Sequence, residues 1–171
     1  MSPFSIENLS NNYSEKAVGL ILPIQQVEFG VAITVEDQPD LLDIDGFYNA
    51  PGGGFWGAFK NSGPGGQNGE LVGTIALINV GHDTGVIRKM FVKKEYRGKE
   101  FAIAQRLIEK LLEQAGTRGI KHLYLGTVDK MKAAHRFYER NGFIRIDPAA
   151  LPAYFPRMAA DNVFYHLTIH Q

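Results

Sequence analysis

Residues 94–115 read KEYRGKEFAIAQRLIEKLLEQA, and how this stretch is read decides the fold. Its second half is helical by pattern. Ile103, Leu107, Ile108, Leu111, Leu112 and Ala115 recur at spacings of three and four, the period of a single buried helix face. The pattern predicts a helix over Ala102–Arg118, closed by Gly116 and Gly119. Residues 85–92 (GVIRKMFV) read as a strand before it, and 120–128 (IKHLYLGTV) as a weakly alternating strand buried on both faces. A strand–helix–strand unit with so long a crossover has parallel strands, and ligands bind outside the carboxyl ends of such strands. One lip of the expected site is then 90–102 and the other 127–138. The turn into the helix is basic at Arg97-Gly98-Lys99 but acidic at Glu100, as if an anion site had been half cancelled.

Composition restricts what that anion could be. The chain has 171 residues, 44% hydrophobic and 21% charged, ordinary values for one folded domain with a sizeable core. Lys plus Arg (18) equals Asp plus Glu (18), so no global field attracts nucleic acid or a membrane surface, and any anion site is local. There is no cysteine, which removes disulfides, thiolate nucleophiles and cysteine metal sites together. The opening MSPFSIENLS does not have the pattern of a secretory signal, and no apolar run reaches the roughly 18 residues that span a bilayer. The expectation is a soluble, cytoplasmic protein. His166 and His170 are spaced by four on a terminal strand without a third ligand, so no metal is expected.

Further out, FSIENL (4–9) reads as a strand. Ser14–Gln26 reads as a helix with Ala17, Leu20, Ile21 and Ile24 on one face, and 37–50 (DQPDLLDIDGFYNA) as a second, short helix. Residues 51–60 and 70–80 read as a hairpin whose glycine cluster, Gly63–Gly69, is a loop and not a phosphate cradle: it lacks the Gly-Lys-Ser/Thr ending, and a strand follows it. Asp129 is a candidate N-cap for a helix over Lys130–Arg140 that Asn141-Gly142 ends. FIRI (143–146), a proline-punctuated loop (147–162) and VFYHLTI (163–169) complete one domain, 1–171, with no internal repeat.

Two stretches carry a family likeness. MFVKKEYRGKEFAIAQRLIEKLLEQA resembles the GNAT superfamily of acetyl-CoA-dependent N-acetyltransferases, with its strand, Arg/Gln-x-x-Gly-x-Gly/Ala turn and long helix; Arg97 and Ala102 hold the outer positions. AAHRFYERNGFIRI is similar to that family's Ala-x-x-Phe-Tyr-x-x-x-Gly-Phe. The resemblance implies an α/β (α+β) fold: a mixed, mostly antiparallel sheet with a parallel strand–helix–strand unit that binds CoA, and helices on both faces. It implies that Met90, Phe91 and Val92 bond pantetheine amides through their backbone. It also implies that the turn Arg97, Gly98, Lys99, Glu100, Phe101 and Ala102 receives the pyrophosphate, with Ala134 beside the cofactor. A helix N-terminus with small residues suits a pyrophosphate on physical grounds as well. Glu100 replaces the first glycine of the pattern, and Met131 stands where many members carry an asparagine.

For such chemistry Tyr138 is the catalytic candidate, sharing a helix face with Met131 and Ala134. A leaving thiolate of free pKa ~8.5 can take a hydrogen bond or a proton from a phenol of pKa ~10. The general base stays open among Asp83, His82, Glu28 and water. The acceptor site is expected from Phe47, Tyr48, the glycine turn before Phe55 and Trp56, and the loop 151–158. These are aromatic and nearly neutral, so a small amine fits better than a basic peptide. Two readings remain at this stage: an active N-acetyltransferase whose partners are acetyl-CoA and a small amine, with a homodimer admitted, or a non-catalytic acyl-CoA-binding domain on the same scaffold.

Overall fold

The protein is described here from a computed structural model covering residues 3–61, 69–98, 100 and 102–170. Seven strands are present among these residues: β1 (Phe4–Asn8), β2 (Gly54–Lys60), β3 (Glu70–Gly81), β4 (Thr84–Val92), β5 (His122–Thr127), β6 (Ile144–Ile146) and β7 (Val163–Thr168). Three α-helices accompany them, α1 (Ser14–Pro23), α2 (Ile103–Thr117) and α3 (Lys132–Arg140). The strands form one sheet in the order β1-β2-β3-β4-β5-β7-β6, antiparallel throughout except where β4 and β5 run parallel. This is the mixed, mostly antiparallel sheet expected.

Alternation along the strands divides the core between the two faces. Phe55 and Phe59 point to one side, where Ala17, Leu20 and Ile21 of α1 meet them. Trp56 and Ala58 point to the other, against Ile103, Leu107, Ile108, Leu111 and Ala115 of α2. Five of the six residues of the predicted α2 face are buried and Leu112 is partly buried, as the three-and-four spacing requires. At about 1.5–3 kcal/mol per buried side chain, that face alone accounts for the docking of the helix. Gly119, at φ 73°, ends α2 by letting Ile120 N–H reach back to Ala115 O, and Gly142, at φ 90°, does the same for α3.

Three expectations are corrected. The first helix stops being α-helical at Pro23, which lacks an N–H, and widens into a π turn over Ile24–Glu28 in which Phe29 N–H bonds Ile24 O. The expected helix at 37–50 is a 3₁₀ turn (Pro39–Leu42) and a π turn (Asp45–Asn49), because Asp43 and Asp45 spend their carboxylates on local backbone and side-chain donors. Asp129 does not cap α3; the helix begins at Lys132, and the Asp129 carboxylate pairs with Lys132 Nζ instead. The hairpin of β2 and β3 is present, with Lys60 opposite Glu70, while most of its glycine loop (62–68) lies outside the described residues.

One irregularity organises the middle of the sheet. Across from Ile75, β4 carries two residues, Lys89 and Met90, so the register jumps between Thr74↔Phe91 and Ala76↔Arg88. Lys89 takes a left-handed φ of 54°, and Thr74 Oγ1–H donates to its carbonyl at 2.8 Å. Beyond this bulge β4 leaves β5: their parallel pairing is confined to Thr84–Val86 with His122–Tyr124. Thr74 is fully buried, so Thr74→Val keeps the shape and orphans the Lys89 carbonyl. We expect a loss of about 1–3 kcal/mol in urea unfolding; an unchanged midpoint would show that the bulge does not depend on this bond.

Candidate active site

Where β4 and β5 separate, each keeps one edge unpaired. Among the described residues, β4 from Arg88 to Val92 pairs with no strand but β3, and β5 from Leu125 to Thr127 with none but β7. Between them opens a cleft of about 1070 Å³ whose walls include Met90, Phe91, Gly126, Thr127, Met131, Ala134 and Tyr138. Strand edges with free N–H and C=O groups are ready to pair with an extended, amide-bearing chain. Met131, Ala134 and Tyr138 do share the cleft face of α3, as their spacing predicts. His135 holds that helix to the lip through a 3.0 Å contact of Nε2 with Val128 O, in which the nitrogen carries the proton.

A second hollow, of about 390 Å³, lies at the N-terminus of α2 and is lined by Val92, Arg97, Gly98, Ala102, Ile103, Gln105 and Phe137. Among the described residues no side chain caps the helix there; Ala102 occupies the N-cap in the left-handed region (φ 53°) and Gly98 has φ 117°. The first N–H groups of a 15-residue helix thus face a concave space bordered by small residues. Glu100 is exposed and lies outside the helix, so it does not occupy this hollow and does not serve in the first helical turn. Lys99 and Phe101 lie outside the described residues.

Arg97 borders the hollow, yet its donors are committed elsewhere. Both terminal nitrogens bond the Glu28 carboxylate, Nη2 to Oε1 at 2.8 Å, while Nε–H donates to Val92 O at 2.8 Å. The guanidinium also sits over the Phe29 ring, 6.0 Å from its centroid. Arg97 therefore ties the π turn after α1 to the end of β4. The same bonds hold the Glu28 carboxyl below the usual carboxylate range, which makes Glu28 a poor proton acceptor. His82 and Asp83 form the β3–β4 turn, at the opposite end of β4 from Met90. His82 stacks on Tyr154 (4.1 Å) and Asp83 lies 3.8 Å from Lys121 Nζ, so neither belongs to the cleft.

Tyr138 is buried, with 6% of its surface exposed, and its ring packs edge-on against Phe143 and Phe137. Burial, and secondarily the Asp161 charge, push its phenol well above the ordinary value, so it stays protonated. Asp161 is the group that sequence reading misses. It lines the same cleft from the loop entering β7, and one of its oxygens rests on Gly126, where an added Cβ would lie 2.4 Å from Oδ2. Burial raises its carboxyl, offset in part by Arg88 and then Arg157. Of the aromatic residues expected at the acceptor site, Tyr48, Phe55 and Trp56 are core residues, Tyr48 bonded to Asp40, while Phe47 and Tyr154 are exposed. Of the 151–158 loop, Pro156 O accepts from Arg88. His166 pairs with His122 at 3.1 Å and not with His170, and no group of three metal-ligating side chains occurs among the described residues.

Comparison with known proteins supplies the relationship. The model of the acetyltransferase (GNAT) family matches residues 20–143. The uncharacterized N-acetyltransferase YjgM of Escherichia coli (strain K12) is 30% identical over 140 residues, 78% of each chain. N-acetylaspartate synthetase of Danio rerio is 34% identical over 109 residues, which are 63% of this chain but only 36% of that protein's length. The crystal structure of a GNAT-family acetyltransferase from Staphylococcus aureus Mu50 superposes with a TM-score of 0.88 at 36% identity, covering 96% of this chain and 98% of that one. Because the matched region runs from α1 through both lips of the cleft to the end of α3, the chain belongs to the GNAT family of acetyltransferases.

Proposed function

We propose that the protein transfers the acetyl group of acetyl-CoA to a primary amine of a small molecule, by direct attack with both substrates bound. The observation that carries this reading is a pair of neighbouring hollows along β4 and α3: a cleft between two unpaired strand edges with a buried phenol in its wall, and beside it a helix N-terminus with no side-chain cap among the described residues. The backbones of Met90, Phe91 and Val92 would bond the pantetheine amides, and the small Ala134 would let that arm lie close to α3. Gly98, Ala102 and the first N–H groups of α2 would take the pyrophosphate. Arg97 shapes this passage by holding Glu28, and its charge is largely answered before any phosphate arrives.

Tyr138 would donate to the sulfur as the thioester breaks. Its raised pKa makes it a persistent donor, and the apolar walls around it strengthen that hydrogen bond. The exposed position of Glu100, outside the residues lining the hollow, supports the active reading over an inactive copy. The name of one relative, N-acetylaspartate synthetase, is consistent with a small acceptor. Release of free thiol from acetyl-CoA in the presence of an amine panel tests the reading; release with no amine would contradict it.

Two predictions follow from this arrangement. CoA and dephospho-CoA should raise the melting temperature nearly equally, and pantetheine far less, since only the first two fill the helix N-terminus. Equal shifts from all three would remove the pyrophosphate site. Tyr138→Phe should lower kcat by about 10²-fold with acetyl-CoA KM little changed, because the hydroxyl acts only as the bond breaks. In the unaltered protein the phenol should cause no fall in kcat below about pH 10.

A further inference from the structure

The cleft holds two opposite charges that do not meet. Arg88 reaches it from β4 and Asp161 from the β5–β7 side, yet no nitrogen of Arg88 lies within 4.0 Å of a carboxylate among the described residues. Among the described residues, only one of its five N–H groups has a protein partner, Pro156 O. The Asp161 carboxylate accepts no hydrogen bond from any described residue, although its own N–H is anchored to Met158 O at 3.2 Å. The neighbouring Lys89 differs: it is held by Gln38 Oε1 and by Asp40 at 3.5 Å, so its charge is already answered.

This arrangement is built. Gly126 admits the Asp161 oxygen over the β5 backbone, which any side chain at 126 would forbid. On the other wall the Lys89–Met90 bulge resets the register, so that Arg88 lies beside the committed Lys89 at the cleft. Each charge is costly while partly desolvated and unpaired. A plain amine would satisfy Asp161 and leave Arg88; a plain acid would do the reverse. A molecule with both groups on a short spacer satisfies the two together.

We propose that the acceptor is an amine that also carries a carboxylate, of the amino-acid class, with Asp161 receiving the amine and Arg88 the carboxylate. The proposal rests on the acetyltransferase reading for its chemistry. The acceptor ammonium loses one proton to Asp161, and the freed amine forms a bond to the acetyl carbonyl carbon. The C–S bond breaks as Tyr138 protonates the departing sulfur. The nitrogen then releases its second proton, which restores the phenol through solvent, and Asp161 returns its own proton to bulk. One proton is released per turnover.

Four groups bear on the titration of Asp161: Arg88 from β4, Tyr138 from α3, Arg157 from its own loop, and Gly126 from β5, which brings no charge. The carboxyl pKa is raised on folding, so the native state binds the proton more tightly than the unfolded chain. Stability then falls as pH climbs from the unfolded value, about 3.9, through the raised one. Asp161→Asn should therefore melt higher than the unaltered protein at pH 7, with the difference closing toward pH 4, whereas a merely structural carboxylate would make the variant melt lower.

The test measures thiol release from acetyl-CoA with free amino acids, the matching amino-acid amides and simple alkylamines. In parallel, calorimetry follows amino acids and amides binding to the CoA-saturated protein. We expect kcat/KM at least tenfold higher for the best amino acid than for its amide, and tighter binding in the same order. Arg88→Gln should erase that preference through KM, and Arg88→Lys should retain part of it. Asp161→Asn should lower kcat at pH 7 and shift the pH profile to follow the free amine. Amides or alkylamines turned over as fast as amino acids would overturn the proposal and leave the acetyltransferase reading intact. No turnover with any amine, but tighter binding of amino acids than amides, would sink the transfer reading and uphold the two-pole site. No preference in either assay would overturn the proposal outright.

Discussion

The site depends on one hydrogen bond and the irregularity it pins. Thr74 Oγ1–H holds the carbonyl of Lys89, a residue in a left-handed conformation that costs of order 1–3 kcal/mol outside glycine. Without that extra residue β4 would continue alongside β5, and the hydrogen bonds of the two strands would close the sheet. With it, the parallel pairing ends after Val86 and Tyr124, and two unpaired edges face each other across a cleft. The bulge is held from the other side too, since the Lys89 amine is drawn to Gln38 and Asp40 in the turn before Tyr48. A local strain is thus maintained by contacts from two separate parts of the chain, β3 and the turn at 38–40.

Charge acts locally in a protein whose total is zero. Arg97, beside the helix N-terminus, is matched by Glu28 and works as a tie between α1's π turn and β4. Lys89 is matched by Asp40. Arg88 and Asp161 are left without a mutual contact, and both line the cleft. The pairing of some charges and the separation of others is what distinguishes framework from site here. Tyr138 lies near the second kind, where burial and the Asp161 charge keep its proton in place.

The parts of this structure legible in the sequence are those with a local signal. The face of α2, the stops at Gly119 and Gly142 (though not at Gly116, which lies inside α2), the β2–β3 hairpin and the cleft face Met131–Ala134–Tyr138 all follow from periodicity or turn chemistry over a few residues. Asp129 and the aspartates at 43 and 45 mislead because their carboxylates have several local donors to choose from, and tertiary context selects among them. The aromatic run at Phe55 and Trp56 reads as a binding surface but is buried on both faces of a central strand. Asp161 gives no sign at all. It lies in a loop without periodicity, and its importance comes from contact with Gly126, thirty-five positions earlier in the chain by the numbering 126 and 161. The bulge at Lys89 is equally silent, since a β-strand pattern does not reveal which residue is extra.

The central claim is that the edge of β4 freed by the bulge is where acetyl-CoA is held. Amide hydrogen exchange, followed residue by residue with and without acetyl-CoA, addresses it directly. The account predicts slowed exchange confined to Met90, Phe91 and Val92, the first turn of α2 and the open edge of β5, with Thr84–Val86 unchanged. Unaltered exchange along the freed edge, with protection appearing elsewhere on the molecule, would contradict it.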